Sequence, residues 1–143
     1  MRLPLQVHLF AGGLRAMTRF LLISKEPHIF GSIEAIVDTG SPTTVLGSPD
    51  LKRMRVSQIQ LQKLESRKEQ IAYGGGLVKT KILNGAQLKF GDYFECTMPI
   101  QIPVDEIKDC NQPTILGVDF MIQNKFKLVF DPIKKEAYFE SSE

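Results

Sequence analysis

The stretch AIVDTGSPTTVL, residues 35–46, carries a single carboxylate out of an apolar run and into a turn of small residues. The apolar residues before Asp38 predict a largely buried β-strand, and Gly40 and Pro42 interrupt regular structure directly after it. Residues 43–46 are mostly β-branched and predict the next strand. Asp38 therefore lies either in an ordinary turn, where aspartate commonly accepts backbone N–H groups, or in a functional site.

A second unusual stretch, residues 70–78 (QIAYGGGLV), places the consecutive glycines Gly74, Gly75 and Gly76 between two segments of strand character. Taken alone, this pattern predicts a flexible hairpin tip. It has neither the Gly-Lys-Ser/Thr ending nor the helix-opening glycine pattern of phosphate-binding loops, so it does not indicate a nucleotide site.

Most of the remaining sequence alternates apolar and polar residues, which is the pattern of half-buried strands. Such strands are predicted at residues 3–10, 78–82, 86–90, 94–102, 126–130 and 136–140. Turns are predicted at Gly12-Gly13, Asn84-Gly85, Gly91-Asp92 and residues 131–135, with Asn84-Gly85 the strongest short hairpin signal. Residues 16–24 fit either a strand or a short helix.

Two segments have helix signals. The sequence Ser48-Pro49-Asp50 has the composition of an N-cap, a first-turn proline and an acidic first turn, which predicts a short helix through Met54. Residues 114–121 (TILGVDFM) predict a strand that passes into a second short helix, with Gly117 allowing two backbones to approach closely. The whole pattern predicts an all-β barrel or sandwich rather than an α/β cofactor fold.

Length and composition indicate one domain, expected to span residues 1–143. The formal charge of +2 is too small to indicate a nucleic-acid or acidic-membrane partner. The basic residues within 52–68 lack interleaved aromatic side chains, which favours a solvated face. Cys96 and Cys110 have neither the number nor the spacing of a disulfide framework or a zinc site, so we expect buried free thiols in a reducing compartment.

The N-terminal apolar segment is interrupted by three arginines and a pair of glycines, which fits neither a signal peptide nor a membrane-spanning helix. A soluble, cytoplasmic protein with no membrane partner is therefore expected. His8 and His28 are the only histidines, and no serine or cysteine has a recognisable nucleophile setting, so they are interpreted as surface or strand residues rather than bases or ligands.

The residues around Asp38 resemble the active-site signature of the aspartic proteases, an apolar pair followed by Asp-Thr-Gly-Ser/Ala and then Thr-Val-Leu. Tyr73 and the glycines after it look like the Tyr-Gly-x-Gly tip of the flap in that class. The sequence from Ile115 to Gly117, followed by a short helix, resembles the second signature of single-lobe enzymes. Ile-Leu-Gly-x-Asp-Phe, over residues 115–120, is especially similar to the retrotransposon and Ddi-type branches. Because one Asp-Thr-Gly is present, the resemblance is to retropepsin-like enzymes, which pair two identical chains. Viral enzymes commonly have Gly-Arg at Gly117-Val118, so their arginine-centred ion pair is not expected here.

This resemblance implies a closed, β-barrel-like retropepsin lobe with one or two short helices, active as a homodimer on a peptide or protein substrate. Asp38 of each subunit would be catalytic, with the two carboxylates sharing a proton and activating a water, and no metal or other cofactor is implied. The other implied site residues are Thr39, Gly40 and Ser41 in the active-site loop, Tyr73, Gly74, Gly75 and Gly76 in the flap, and Ile115, Leu116 and Gly117 in the second-signature strand.

Two functions of other classes stay open from the sequence. A non-catalytic dimerisation or peptide-binding module on the same fold would tolerate replacement of Asp38. A nucleic-acid-associated module that uses residues 52–68 would show a steep salt dependence of binding. The C-terminal hairpin at residues 126–140 is also open to two readings, because it would either contribute to a dimer sheet or close the sheet of its own chain.

Overall fold

Eleven strands and three short helices occur in the part of the chain that the computed structural model describes, residues 1–73, 76–104 and 112–142. The strands are β1 (Arg2–Phe10), β2 (Gly13–Ser24), β3 (Ile29–Val37), β4 (Glu65–Ser66), β5 (Ile71–Tyr73), β6 (Gly76–Val78), β7 (Thr80–Phe90), β8 (Phe94–Pro103), β9 (Thr114–Leu116), β10 (Phe126–Asp131) and β11 (Glu136–Ser141). The helices are α1 (Ser48–Arg53), α2 (Gln58–Gln62) and α3 (Val118–Asn124). The mainly β architecture is confirmed, and residues 16–24, left open between strand and helix, belong to β2.

One nine-stranded sheet carries most of the fold, with the order β10-β11-β1-β2-β3-β9 and with β7 joining β2 and pairing with β4 and β8. Strand β2 pairs with β1 through residues 13–17 and with β7 through residues 21–23, while β3 lies along its other edge. Because β1 and β7 share one edge of β2, the sheet forks there. The closed barrel predicted from the sequence is therefore not found among the described strands.

A parallel ladder between β3 and β9 joins the two segments that the sequence singled out. Its register pairs Ala35 with Thr114, Ile36 with Ile115 and Val37 with Leu116. The other ladders between described strands are antiparallel. A parallel pair requires a long crossover, and here the crossover contains both the loop after β3 and the glycine hairpin.

The pair Asn84-Gly85 does not form the predicted hairpin. Strand β7 continues through both residues, and its pairing with β8 shifts register between Leu83 and Ala86. Gly85 has a φ of +72°, a conformation that glycine adopts without steric cost, so the pair forms a β-bulge. The chain reverses instead at the predicted Gly91-Asp92 turn, where Gly91 has a φ of +55°.

Residues 43–46 do not form the predicted strand. Val45 makes isolated bridges to Gln101 and to Ile115, which lie on opposite sides of it. The segment is inserted between β8 and β9, with Val45 N donating to Ile115 O at 3.0 Å and Leu46 N donating to Gln101 O at 2.9 Å. Thr44 and Val45 are buried because the segment crosses the core, rather than because it extends a sheet, and Thr43 is half-buried.

The helices differ from the prediction in the N-cap of α1 and in their number. The N-cap of α1 is Gly47, so the predicted N-cap Ser48 is the first helical residue. A Cβ on Gly47 would lie 2.5 Å from the carbonyl oxygen of Gln112, which explains why glycine stands there. Helix α2 was not predicted, and with it the described residues contain three helices instead of one or two. None of the helices in the described ranges combines the length and the apolar character that crossing a bilayer requires.

Phenylalanine side chains fill the centre of the core. Neighbouring ring centroids lie between 5.1 and 6.2 Å apart, the usual range for aromatic pairs. The cluster consists of Phe20, Phe90, Phe94, Phe120, Phe126 and Phe139, from β2, β7, β8, α3, β10 and β11. Burial of one such ring contributes about 1.5–3 kcal/mol. Phe120 is fully buried and so fixes α3, whose first turn contacts the loop after β3.

The terminal strands pair within the chain, since β11 lies between β1 and β10. Glu140 on β11 links both neighbours, with one carboxylate oxygen 3.3 Å from Arg2 Nε and the other 3.3 Å from Lys127 Nζ. The C-terminal hairpin therefore extends the sheet of its own chain.

Replacing Glu140 by glutamine is expected to lower the melting temperature slightly at neutral pH and to have no effect in strong acid. The hydrogen bond from Lys127, assisted by Arg2, holds the pKa of Glu140 below its ordinary value of 4.5. A carboxyl group with a lowered folded-state pKa contributes stability above its unfolded-state pKa, and that contribution disappears as the pH falls through the folded-state value. Thermal unfolding across acidic and neutral buffers checks this, with Glu136→Gln on the same strand as the control. Equal melting temperatures at neutral pH would contradict it.

Candidate active site

Asp38 begins the loop that follows β3, and its environment is built from backbone groups. Its N–H donates to Leu116 O at 3.1 Å, which extends the β3–β9 ladder by one residue. Its Oδ1 accepts the N–H of Gly40 at 2.8 Å, and its carbonyl accepts the N–H of Ser41 at 3.2 Å. A Cβ on Gly40 would lie 3.1 Å from the same Oδ1. Glycine therefore allows the N–H to approach the half-buried carboxylate.

The other loop residues divide between an exposed tip and a buried base. Thr39 and Gly40 are exposed, whereas Ser41 is buried. The Ser41 hydroxyl donates to Thr43 O at 2.7 Å, and the Ser41 carbonyl accepts the N–H of Val118 at 2.8 Å. Ser41 thus holds the base of the loop, while Thr39 lies at its exposed tip.

The segment from Ile115 to Gly117 runs directly behind this loop. A Cβ on Gly117 would lie 2.8 Å from Ser41 O and 2.5 Å from the carbonyl carbon of Thr43. The sequence-based expectation that glycine is needed here for close backbone approach is confirmed.

The glycine hairpin pairs Tyr73 with Gly76, and Gly74 and Gly75 lie outside the described residues. Tyr73 is buried with Ile71, Val78 and Val45 in a small cluster. Its hydroxyl lies 2.9 Å from Pro113 O and 3.1 Å from Gln112 O, either of which accepts its proton. Tyr73 thus anchors the hairpin to the backbone that precedes β9, a role that the sequence did not indicate.

Loop, hairpin and second-signature strand meet in one open cleft of about 470 Å³. Its lining residues are Asp38, Gly40, Ser41, Pro42, Ala72, Tyr73, Gly76, Leu77 and Ile115. Asp38 is the one carboxylate among these lining residues. Three stretches that are far apart in the sequence are thus brought around a single acidic group.

Comparison with known proteins relates this geometry to solved structures. No protein-family model matches the sequence, and no curated protein sequence matches it. One similar structure is a retropepsin-like aspartic protease from Rickettsia conorii, with a TM-score of 0.52 and 15% identity over 87% of this chain and 92% of that chain. Another is the retroviral protease-like domain of Ddi1 from Leishmania major, with a TM-score of 0.50 and 13% identity over 87% of this chain and 94% of that chain.

The chain has a retropepsin-like fold. The recognition made from short motifs is therefore confirmed at the level of the fold. Identities of 15% and 13% show the fold alone, and the roles of Asp38, the loop and the hairpin stay predictions.

The retropepsin-like fold of this chain contains a contact that sequence reasoning missed. Asp119, in the first turn of α3, accepts hydrogen bonds from the N–H and the hydroxyl of Thr44 at 2.9 and 2.7 Å. Viral enzymes commonly have an arginine where this chain has Val118. The next residue here is Asp119, whose carboxylate accepts the Thr44 hydroxyl. The signal available in the sequence was the acidic residue two positions after Gly117.

Other candidate groups lie apart from the cleft. His8 and His28 are exposed, as expected, and His8 Nε2 lies 2.9 Å from Gln6 Oε1. Burial raises the pKa of the Cys96 thiol, although a hydrogen bond with Asn124 acts in the opposite direction. Cys96 on β8 is a free thiol, as predicted, but it is half-buried against the core rather than fully buried. The prediction for Cys110 falls outside the described residues.

Proposed function

We propose that the protein is an aspartic endopeptidase that hydrolyses peptide bonds in extended, apolar-flanked segments, using a water activated by two Asp38 carboxylates from the two subunits of a homodimer. The observation that carries this proposal is that Asp38 lines the same cleft as the hairpin residues Ala72, Tyr73, Gly76 and Leu77. The retropepsin-like fold adds support because both similar structures are protease-like in name.

One chain supplies half of the chemistry. The sequence has a single Asp-Thr-Gly, and Thr39 and Gly40 are exposed at the tip of its loop. When two such loops meet, both carboxylates do not ionise together at low cost, so the pair holds one proton. Thr39 then braces one loop against the other beneath the carboxylates.

The shared proton divides acid and base roles between the two Asp38 residues. The ionised carboxylate accepts a proton from the bound water, and the protonated one donates a hydrogen bond to the peptide carbonyl oxygen. Attack of the water gives a tetrahedral diol. Proton transfer to the nitrogen then breaks the C–N bond and releases the amine. In this scheme Gly40 keeps Oδ1 of Asp38 in place through its N–H.

The lining of the cleft favours an extended, apolar substrate. Strands β5 and β6 pair only with each other among the described strands, so the ribbon has an edge that an extended peptide can join. Pro42, Leu77 and Ile115 give the walls an apolar surface, and Leu77 is 69% exposed. Substrate side chains next to the cleaved bond are therefore apolar.

Incubation with a diverse peptide mixture at acidic and neutral pH tests the proposal. Wild type is expected to cut between apolar residues, and a statine-type compound, which imitates the tetrahedral diol, is expected to stop it. Product analysis by mass spectrometry also gives the cleavage preference. If purified wild type cuts no peptide at any pH while a control aspartic protease does, the chain is a binding or dimerisation module instead.

Specific activity is expected to fall on dilution, because the dimer that completes the site dissociates. Light scattering at the same concentrations is expected to show dimer where activity is constant and monomer where it is lost. Constant specific activity in samples that contain only monomer would exclude a site built from two chains.

A further inference from the structure

We propose that Asp119 is the positioning residue of the Asp38 loop: its carboxylate holds the base of that loop against the first turn of α3. The catalytic consequence rests on the proposed function, whereas the loop-holding role is measurable without it.

Three donors converge on the two oxygens of Asp119. Oδ2 accepts the N–H of Thr44 at 2.9 Å, and Oδ1 accepts the Thr44 hydroxyl at 2.7 Å and the N–H of Phe120 at 2.8 Å. An ionised carboxylate accepts at both oxygens, whereas an amide presents N–H groups at one end. Whichever way the amide of an asparagine is turned, its NH2 group faces one of the backbone N–H donors. The site therefore requires a carboxylate rather than any polar group of similar shape.

Thr44 links the carboxylate of Asp119 to the backbone of the second-signature strand. It is fully buried, and its hydroxyl oxygen accepts the N–H of Gly117 at 3.1 Å while its proton goes to Asp119. Backbone bonds run parallel to this link, from Val118 N to Ser41 O at 2.8 Å and from Asp119 N to Pro42 O at 3.3 Å. Loss of the carboxylate thus leaves Thr44 and Gly117 poorly paired at the point where the loop is anchored.

The position of this anchor gives it a role in catalysis. Residues 41–44 follow Asp38 after Thr39 and Gly40. A two-carboxylate site works only when both groups face the same water. Misplacement of a reacting group by about 1 Å can cost about 100-fold in rate. Substrate contacts in the cleft come from the hairpin and from apolar walls that Asp119 does not line. Asp119→Asn is therefore expected to lower kcat by about 10- to 100-fold with little change in KM.

Asp131→Asn is the matched control. Oδ1 of Asp131 also accepts two backbone N–H groups, from Ile133 at 3.0 Å and Lys134 at 3.1 Å, in the turn between β10 and β11. The chemical change is the same, but it lies away from the loop. This variant is expected to keep the wild-type kcat and KM.

Amide hydrogen exchange provides a readout that does not depend on activity. In Asp119→Asn, amides of residues 41–46 and 117–120 are expected to exchange faster while those of β7 and β8 keep their wild-type rates. Thr44→Val removes the hydroxyl partner, so its effect on local exchange is expected to be smaller in the Asp119→Asn background than alone. If Asp119→Asn fails to fold, Thr44→Val and the conservative Thr44→Ser make the same comparison.

The outcomes separate this inference from the proposed function. Faster exchange at residues 41–46 and 117–120 in Asp119→Asn, together with a fall in kcat, supports the inference. The same faster exchange in Asp119→Asn, when the wild type cuts no peptide, supports the loop-holding role and excludes the proposed function. Wild-type exchange at residues 41–46 in Asp119→Asn, or an equal acceleration over the whole chain, overturns the inference.

Discussion

Asp38→Asn is expected to lower peptidase activity by about 10²- to 10⁴-fold, the share that general acid–base catalysis commonly contributes, while the protein stays folded. The amide oxygen of asparagine can still accept the N–H of Gly40, which bonds Oδ1 of Asp38 at 2.8 Å. The loop therefore keeps its shape, but neither subunit retains a group that takes a proton from water. Initial rates on an apolar peptide and circular dichroism spectra of the same samples measure both halves of the prediction.

Asp92→Asn, in the exposed turn between β7 and β8, is the matched control and is expected to keep full activity. Mixing adds a test of the two-chain site, because an excess of Asp38→Asn chains is expected to suppress wild-type activity by forming mixed dimers. Wild-type turnover by purified Asp38→Asn would contradict the catalytic role and favour a binding module.

Gly117→Ala is expected to destabilise the fold by about 3 kcal/mol, at the upper end of the usual cost of overpacking. The added methyl group would lie against Thr43 O, 2.5 Å from the carbonyl carbon of Thr43 and 2.8 Å from Ser41 O. These are backbone atoms of the hydrogen-bonded loop, so no side chain can rotate to make room. The φ of −91° suits alanine, so the whole cost is steric.

Urea unfolding measures this loss, with Gly13→Ala as the control. A Cβ on Gly13, at the start of β2, meets no atom within 4 Å and its φ is not positive, so the midpoint is expected to stay within experimental error of wild type. A wild-type midpoint for Gly117→Ala would show that the loop moves away without cost, which would also weaken the case for a rigid Asp38 loop.

The sequence was most informative where a residue has one dominant physical requirement. Gly117 is an example, because the need for close backbone approach follows from a glycine between a strand and a helix, and the structure confirms it. The alternating strands were recognisable for the same reason, since one face of each is buried. No local pattern specifies that Asp38 lies beside Leu116, because the two residues are far apart in the sequence.

Errors arose where tertiary contacts override a local preference. Asn84-Gly85 suits a two-residue hairpin, but β7 pairs with β8 on both sides of it, so the positive φ of Gly85 serves a bulge. Ser48 is a good N-cap by composition, yet the tight approach of Gln112 to Gly47 moves the cap one residue earlier. The forked sheet depends on where β1 and β7 meet β2, which is a matter of register that composition does not encode.

The parallel pairing of β3 with β9 also determines when the site can form. Thr44 and Asp119 are 75 residues apart, and Thr44 and Gly117 are 73 apart. Closing so long a segment costs chain entropy before the contacts compensate for it, so folding that depends on such distant contacts is slow. During synthesis, the loop that carries Asp38 leaves the ribosome well before α3, and it gains its hydrogen-bonding partners only when α3 follows. The chain is therefore expected to acquire any peptidase activity as one of the last events of its folding.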